Sequence, residues 1–482
     1  MLRRIVRDSA IYGAAQVLAR GLSIALLPLF TRVLSPLDYG ALDILTVFAS
    51  FAGVVVALEV TQGMARSLAD AVDDGTKSRY IATALWFAVG TYAVFGATVL
   101  MVAPRLSQIL LGSRDYSEAV RLVGIAICGN GIFSVMQNQL RWQLQPARYS
   151  LTGLVYTAIS LGSAVVLVVG LGWGVSGVLV GQIAGAAAGI AVAGRFARGS
   201  SHLLFDRDKL REMLRFSAPL VPSSIGVFLT LYVDRVAIKQ LMTLADVGVF
   251  GVAYRLASVV TLLLIGIQSA LTPLVFTSYR EPGTPLHLAR IFRSFCGLAL
   301  VVCLSLALFS RELLTIFAAP AYVAGSAVVP LLAPAILLLA MYIFAPGLDI
   351  ARRTGIVATV NIFAALLNAG LSFALVPRFG IRGAAIATLL SASTLFGTYM
   401  AFSQRFYFVP HRWGRLALAL GIVTSLGVVG MQVQSGARLS LVIRMALVGA
   451  AVLVVVATGL VERTELRQSW RSLWTLRFAS RA

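Results

Sequence analysis

Long apolar runs recur along the whole chain and are separated by short polar connections. Each run holds about 20 residues, the length that a helix needs to cross the ~30 Å hydrocarbon core of a bilayer. The pattern therefore predicts an all-α integral membrane protein with about fourteen transmembrane helices. The predicted spans are Ser9–Thr31, Ala41–Gln62, Ile81–Ala103, Ala119–Leu140, Leu151–Leu171, Val175–Gly194, Ser217–Ile238, Gly248–Pro273, Ile291–Ser310, Ala327–Gly347, Ile356–Val376, Gly383–Phe402, Arg415–Val433 and Leu441–Leu460.

The stretch 9–50 occurs a second time 208 positions later, without a gap. Asp38 and Gly40 of the first copy have Asp246 and Gly248 as their counterparts in the second. Each copy extends over six helices, an even number, so both cross the membrane in the same direction. Some secondary transporters have such parallel repeats and hold their substrate between the two halves. We therefore predict two parallel six-helix repeats followed by two further helices.

Basic residues precede both copies at the same offset: Arg3 corresponds to Arg211, and Arg7 corresponds to Arg215. The second pair lies in the longest connection, where Leu210–Leu214 has the pattern of a short amphipathic helix. The predicted division is an N-lobe at 1–194, a cytoplasmic linker at 195–216, a C-lobe at 217–402, and helices 13 and 14 with a basic cytoplasmic tail at 403–482.

Composition supports the membrane assignment. The 482 residues are 59% hydrophobic and 12% charged, with a mean hydropathy of +0.89, which is too apolar for an ordinary soluble domain. The net charge of +21 comes from Lys and Arg between the apolar runs, whereas a nucleic-acid binder concentrates them on one soluble face. These residues are about threefold more frequent on the side of the termini, which predicts a multi-pass membrane protein with both termini in the cytoplasm.

Other functional classes lack their usual residues. The three cysteines and three histidines are scattered, so we expect no metal, disulfide or cofactor. The chain has no phosphate-cradling Gly-x-x-x-x-Gly-Lys loop and no long extracytoplasmic loop for a catalytic site. We therefore expect a protein that is embedded among membrane lipids and is not an enzyme. The movement that it carries out would be driven by H⁺, Na⁺, the membrane potential or the substrate gradient.

Two of the arginines within predicted spans, Arg20 and Arg255, share a helix face with other polar residues. Arg20 shares a face of helix 1 with Tyr12 and Gln16, and Arg255 lies near Gln268 on a common face of helix 8. An arginine near mid-bilayer costs at least ~2.5–3.5 kcal/mol, so it usually faces a bundle interior or an aqueous cavity. The alternative is that each arginine pairs with a carboxylate or reaches the interface.

Three carboxylates also fall in predicted spans: Asp43 and Glu59 on helix 2, and Asp234, next to Arg235, on helix 7. They could pair with the arginines or bind H⁺ or Na⁺ to drive transport. Alternatively, Asp43 and the Asp234-Arg235 pair lie at hydrated helix ends and are structural.

Amide side chains are a further candidate set. Asn130 and Asn138 lie on helix 4, and Asn361 and Asn368 lie two turns apart on helix 11. Amides offer both donors and acceptors, which suits sugar hydroxyl groups. They equally bind helices to one another in membranes.

The stretch "PLFTRVLSPLDYGALDIL" and its later echo "SAPLVPSSIGVFLTLYVDRVAI…ADVGVFGVAYRLAS" resemble the polysaccharide-transporter, or Wzx-type, oligosaccharide flippases. Their superfamily also includes lipid II flippases and multidrug/toxin extruders. The resemblance implies a two-lobed transporter with alternating access. It would move an undecaprenyl-pyrophosphate-linked oligosaccharide, a repeat unit of O-antigen, capsule or exopolysaccharide, from the cytoplasmic to the periplasmic leaflet.

The resemblance also implies roles for the polar residues, and possible contacts with other polysaccharide-assembly membrane proteins. Basic residues in the central cavity would bind the pyrophosphate: Arg20, Arg255 and Arg235. Polar residues would bind the glycan: Tyr12, Gln16, Asn130, Asn138, Gln268, Asn361 and Asn368. Asp43, Glu59 and Asp234 are the ion-coupling candidates.

Three alternatives remain open. A multidrug or toxin antiporter of the same fold would present carboxylates rather than arginines to cationic drugs. A lipid II flippase would have more cationic positions on helix 2. A membrane glycan polymerase or ligase would need a large periplasmic loop, which is absent here.

Overall fold

The computed structural model describes residues 13, 17–18, 21–197, 205–264, 267–268, 279–351, 353–432 and 437–461. Across these ranges the chain is helical and forms no strand. Thirteen of the described helices are long and apolar enough to cross a membrane, and Gly21–Val33 forms a shorter apolar helix at the first predicted span. The predicted all-α membrane fold is therefore confirmed.

The first half of the chain contains seven helices and is followed by a linker helix. They are α1 Leu27–Val33, α2 Pro36–Val55, α3 Val60–Asp70, α4 Asp74–Leu111, α5 Ser117–Trp142, α6 Pro146–Val165, α7 Gly174–Ala197 and the linker helix α8 Arg207–Ser217. The predicted amphipathic helix is therefore present as α8.

The described part of the second half contains ten helices. Its elements are α9 Val221–Leu241, α10 Leu244–Ala257, α11 Thr284–Leu308, α12 Ser310–Phe317, α13 Val329–Ala340, α14 Gly347–Ile350, α15 Thr354–Phe379, α16 Ile381–Phe406, α17 Trp413–Gln432 and α18 Ala437–Ala457. Most spanning helices extend beyond the predicted apolar runs, because backbone hydrogen bonding continues into the polar flanks.

The repeated aspartates cap equivalent helices. At the start of α2, the Asp38 amide donates to the Ser35 hydroxyl at 3.1 Å, and the Ser35 amide donates back to the Asp38 carboxylate at 3.3 Å. Thr243 and Asp246 form the same capping box at the start of α10. This reciprocal pairing satisfies amides that the first helical turn would otherwise leave without a partner.

The repeated glycines place α2 and α10 in direct backbone contact. A Cβ atom on Gly40 would lie 1.8 Å from the Leu244 carbonyl oxygen, and one on Gly248 would lie 2.0 Å from the Pro36 carbonyl oxygen. Only glycine permits this approach, because any side chain would overlap the facing backbone. The second helix of each lobe therefore crosses its counterpart at equivalent positions of the repeat.

Further contacts between the lobes lie at the same end of the bundle, which we term the closed end. Lys239 donates through Nζ to the Ile109 carbonyl at 2.9 Å. Tyr322 belongs to the 3₁₀ segment Pro320–Ala327, is fully buried, and donates through its hydroxyl to the Leu34 carbonyl at 2.8 Å. A segment of the C-lobe thus covers the crossing of α2 and α10.

Gly40→Ala is expected to separate the lobes at the closed end, because its methyl group and the Leu244 carbonyl cannot occupy the same space. Spin labels at the exposed residues Leu37 and Leu241 should report a longer distance by double electron–electron resonance. Gly90→Ala is the matched control, because nothing lies within 4 Å of its Cβ position. An unchanged distance in Gly40→Ala would contradict the role of the crossing.

Candidate functional site

The candidate site is the seam between the lobes, formed by α2 on one side and α9 and α10 on the other. Beyond the glycine crossing, the Ser50 and Tyr232 hydroxyl oxygens lie 3.2 Å apart. Phe51 and Phe228 follow, with ring centroids 5.3 Å apart. These helices belong to different copies of the sequence repeat, and the structure brings them into contact along the seam.

Arg235 is the central charge of the seam. Its side chain is 4% exposed and donates through Nε to Asp43 at 2.9 Å and through Nη1 to Asp234 at 3.0 Å. Nη1 also donates to the Leu231 carbonyl at 3.1 Å. Asp43 lies on α2 and Arg235 lies on α9, so the first of these ion pairs connects the two lobes.

The rest of the guanidinium is surrounded by aromatic rings. Its central carbon lies 4.2 Å from the ring centroid of Tyr254 and 5.7 Å from that of Phe250. Cation–π attraction adds to the ionic hydrogen bonds in such a desolvated place. Two carboxylates and one guanidinium leave the cluster with a formal charge of −1.

These positions decide one alternative left open by the sequence. Asp43 and Asp234 are 7% and 1% exposed, so the interpretation of hydrated helix ends is wrong for both. Arg235 was assigned to the pyrophosphate, but in this structure its donors are occupied by two carboxylates and a carbonyl. Its interaction with substrate stays a prediction and would require opening of the seam.

Arg255 differs from Arg235 in its surroundings. It is half-buried on α10, and its guanidinium carbon lies 5.0 Å from the ring centroid of Tyr39. Tyr39 in turn meets Tyr322 edge to face, with centroids 5.8 Å apart. No described carboxylate lies within ion-pair distance of Arg255.

Glu59 lies at a break between α2 and α3. Leu58 and Glu59 both adopt left-handed backbone angles, with φ of 48° and 54°, which costs roughly 1–2 kcal/mol per non-glycine residue. The Glu59 carboxylate is half-buried and makes no side-chain hydrogen bond with a described residue. It lies close enough to Tyr92 to interact with it electrostatically. A strained helix break with an ionisable group is a frequent feature of functional sites.

The four predicted asparagine side chains differ in their hydrogen-bond partners. Asn361 donates to the Tyr399 hydroxyl at 3.1 Å, and the fully buried Asn368 donates to the Thr230 carbonyl at 3.1 Å. Asn138 bonds to the Ser134 carbonyl of its own helix. Asn130 has a buried side-chain oxygen without a partner among the described residues. Helix packing therefore accounts for Asn368, whereas Asn130 retains an unused acceptor.

Other predicted residues remain untested. Tyr12, Gln16 and Arg20 lie outside the described residues, and Gln268 is half-buried on the short described piece 267–268.

Among the described residues, no group of three or more His, Cys, Asp or Glu side chains could hold a metal ion.

Sequence reasoning missed several residues of the seam. Gly40, Gly248, Tyr39 and Tyr322 had no assigned role, although they form the crossing and its cover. The repeated Asp-x-Gly motif held the signal for the glycines, since a capping residue followed by glycine at equivalent places suggests two helix starts that meet. No local pattern marked Tyr322.

The overall architecture matches solved transporters. The chain superimposes on an inward-closed lipid II flippase, MurJ, with a TM-score of 0.71 and 11% identity over 92% of this chain and 98% of that one. It also matches an inward-facing multidrug resistance MATE family transporter of the MOP superfamily, with a TM-score of 0.67 and 16% identity over 84% and 96%. The fold is therefore that of MOP-superfamily transporters.

The sequence itself identifies the family. Residues 5–278, more than half of the chain, match the family described as "Polysaccharide biosynthesis protein", and the chain belongs to that family. It is also 21% identical over 244 residues to the succinoglycan biosynthesis transport protein ExoT of Rhizobium meliloti. That match covers 50% of this chain and 47% of the relative, about half of each.

Arg235→Met is expected to destabilise the protein by about 3–5 kcal/mol, because it leaves two buried carboxylates without their cation. A lower Tm in detergent solution would measure this loss. Asp43→Asn introduced into the same variant should restore part of the Tm by removing one buried charge. Arg378→Met, at an exposed position, is the control, and an Arg235→Met protein as stable as this control would refute the assignment.

Proposed function

We propose that the protein is a flippase that moves a polyprenyl-pyrophosphate-linked oligosaccharide across the bacterial inner membrane by alternating access. The family match and the transporter fold support the general class. The observation that carries the proposal further is Arg255, a cation at the seam without a carboxylate partner among the described residues. A guanidinium offers a planar set of donors that suits phosphate oxygens and stays charged at working pH.

The proposed orientation follows from the charge distribution. If both termini lie in the cytoplasm, as the charge distribution predicts, the closed end of the bundle would lie on the periplasmic side. The substrate would then enter from the cytoplasmic leaflet, where the lobes are not held together by the glycine crossing. Release into the periplasmic leaflet would require separation of Gly40 from Gly248 and rupture of the Asp43–Arg235 ion pair.

The pyrophosphate is the part of the substrate that we assign to arginine. Arg255, together with Arg20 on helix 1, would bind it from two lobes, and the glycan would contact polar side chains such as Asn130. The polyprenyl chain would remain in lipid. Position 20 corresponds to Phe228 in the repeat, so this clamp is asymmetric.

Cationic drugs are a weaker substrate class for this seam. Asp43 and Asp234, which could attract a cation, are already paired with Arg235. Glu59 is the remaining sequence-predicted carboxylate, and we assign it to ion coupling. Protonation of Glu59 would remove a negative charge at the break between α2 and α3. Because α2 also forms one side of the seam, it would transmit the effect of this lost charge to the seam.

Arg255→Ala is expected to reduce surface polysaccharide roughly tenfold to a hundredfold at an unchanged protein level, because a charge-assisted hydrogen bond contributes about 1.5–3 kcal/mol. Arg20→Ala should have a similar effect, and Arg255→Lys should retain part of the activity. Immunoblotting of polysaccharide and of the protein provides the measurement. Arg378→Ala is the exposed control, and drug resistance should not change.

Normal polysaccharide in both Arg20→Ala and Arg255→Ala would refute the pyrophosphate clamp. Loss of drug resistance with normal polysaccharide would instead favour the multidrug antiporter. In vesicles, a defined lipid-linked oligosaccharide should be translocated by the unchanged protein.

Glu59→Gln is expected to abolish the dependence of translocation on a proton gradient, because the amide keeps the size of the side chain but cannot ionise. Transport of a lipid-linked oligosaccharide into vesicles, with and without an imposed pH gradient, measures this effect. Leu58→Gly is the companion control, since glycine adopts the left-handed conformation without strain and keeps the carboxylate. A full response to the gradient in Glu59→Gln would exclude Glu59 from coupling.

A further inference from the structure

The linker helix α8 is continuous in sequence with the C-lobe but packs against the N-lobe. It continues through the 3₁₀ turn Ala218–Leu220 into α9, the first helix of the C-lobe. Its apolar face nevertheless packs on the N-lobe, where Met213 is fully buried and its carbonyl oxygen would lie 2.6 Å from a Cβ atom on Gly63. The Tyr80 hydroxyl also donates to the Glu212 carboxylate at 2.6 Å.

The outer surface of α8 carries a row of three arginines. Arg207, Arg211 and Arg215 are spaced four residues apart, so they share one face over about 12 Å of helix. All three are exposed, and none forms an ion pair or hydrogen bond with another described residue. We call these three residues the arginine row.

The acidic residues of α8 do not neutralise the arginine row. Glu212 is engaged by Tyr80, and Asp208, three residues before Arg211 on the helix, forms no ion pair with it. Arg207 is also the first residue of the helix, where the positive end of the helix dipole disfavours a cation. An anion beside the row would offset this unfavourable placement.

The sequence repeat has arginines at equivalent positions before both lobes. Arg211 and Arg215 correspond to Arg3 and Arg7, so in the sequence each lobe is preceded by two arginines four residues apart. A single pair could be explained by solvation alone. The same pair at the same offset in both copies favours a shared requirement for positive charge before the first helix of each lobe.

We propose that the arginine row binds the phosphate groups of anionic phospholipids in the leaflet next to α8. Given the proposed orientation, on which this inference rests, that leaflet is the cytoplasmic one, whose lipids attract basic segments. A row of about 12 Å is longer than a single diphosphate, so it can contact more than one headgroup. Because α8 packs on the N-lobe and continues into the C-lobe, bound lipid would restrain the angle between the lobes.

The test measures binding of phosphatidylglycerol to the full-length protein in detergent, by native mass spectrometry at low salt. Replacement of Arg207, Arg211 and Arg215 together by Gln should weaken binding on the order of a hundredfold, at about fivefold per arginine. The triple Lys variant should retain most of the affinity, since it keeps the charge. A second triple Gln variant at the exposed closed-end arginines Arg114, Arg378 and Arg382 is the matched control and should bind like the unchanged protein.

Two further ligands show whether the arginine row binds the phosphate of an anionic phospholipid or that of the substrate. Phosphatidylcholine should bind weakly to all variants, and undecaprenyl pyrophosphate should bind equally well with and without the arginine row. Equal phosphatidylglycerol affinity in the row variant and the control would overturn the proposal. If the row variant loses affinity for undecaprenyl pyrophosphate but not for phosphatidylglycerol, the arginine row binds the substrate rather than phospholipid, and the proposal is overturned. The lipid titration does not require translocation, so failure of the flippase proposal would leave this result intact.

Discussion

The close approach of α2 and α10 at Gly40 and Gly248 is the constraint on which the seam depends. Lipid surrounds the bundle, so no hydrophobic force drives two apolar helices together, and their association rests on backbone contact and polar bonds. Two equivalent glycines provide that contact, and two equivalent capping boxes fix where each helix begins. The positions of Arg235, Tyr39 and Tyr322 all follow from this crossing.

A buried ion pair suits a contact that opens and closes, as the proposed alternating access requires. The Asp43–Arg235 bond is strong while the seam is dry, because both charges are desolvated and satisfied by each other. When the seam separates, water enters and solvates each charge, which offsets the loss of the bond. An apolar contact of the same area would receive no such compensation. The ion pair therefore holds the closed state without making opening prohibitively costly.

Sequence patterns predicted the features that are encoded within single segments. Apolar length identified the spans, the repeat identified the parallel halves, and the amphipathic pattern of Leu210–Leu214 identified the linker helix α8. The Asp43–Arg235 pair could not be predicted, because it joins residues 192 positions apart whose approach depends on the crossing angle of two helices. The break at Leu58 and Glu59 contains neither glycine nor proline, so tertiary packing rather than local propensity imposes it. The roles of Arg20, Tyr12 and Gln16 remain predictions.

The strained pair Leu58–Glu59 also has a mechanical consequence. The helix beyond it, α3, is 11 residues long, or about 16 Å at the usual rise per residue. A rotation of about 10° at the break would move the far end of α3 by roughly 3 Å, half the pitch of a helix. Leu58–Glu59 is then a pivot for α3, and α8, which packs on α3, would transmit the displacement to the first helix of the opposite lobe.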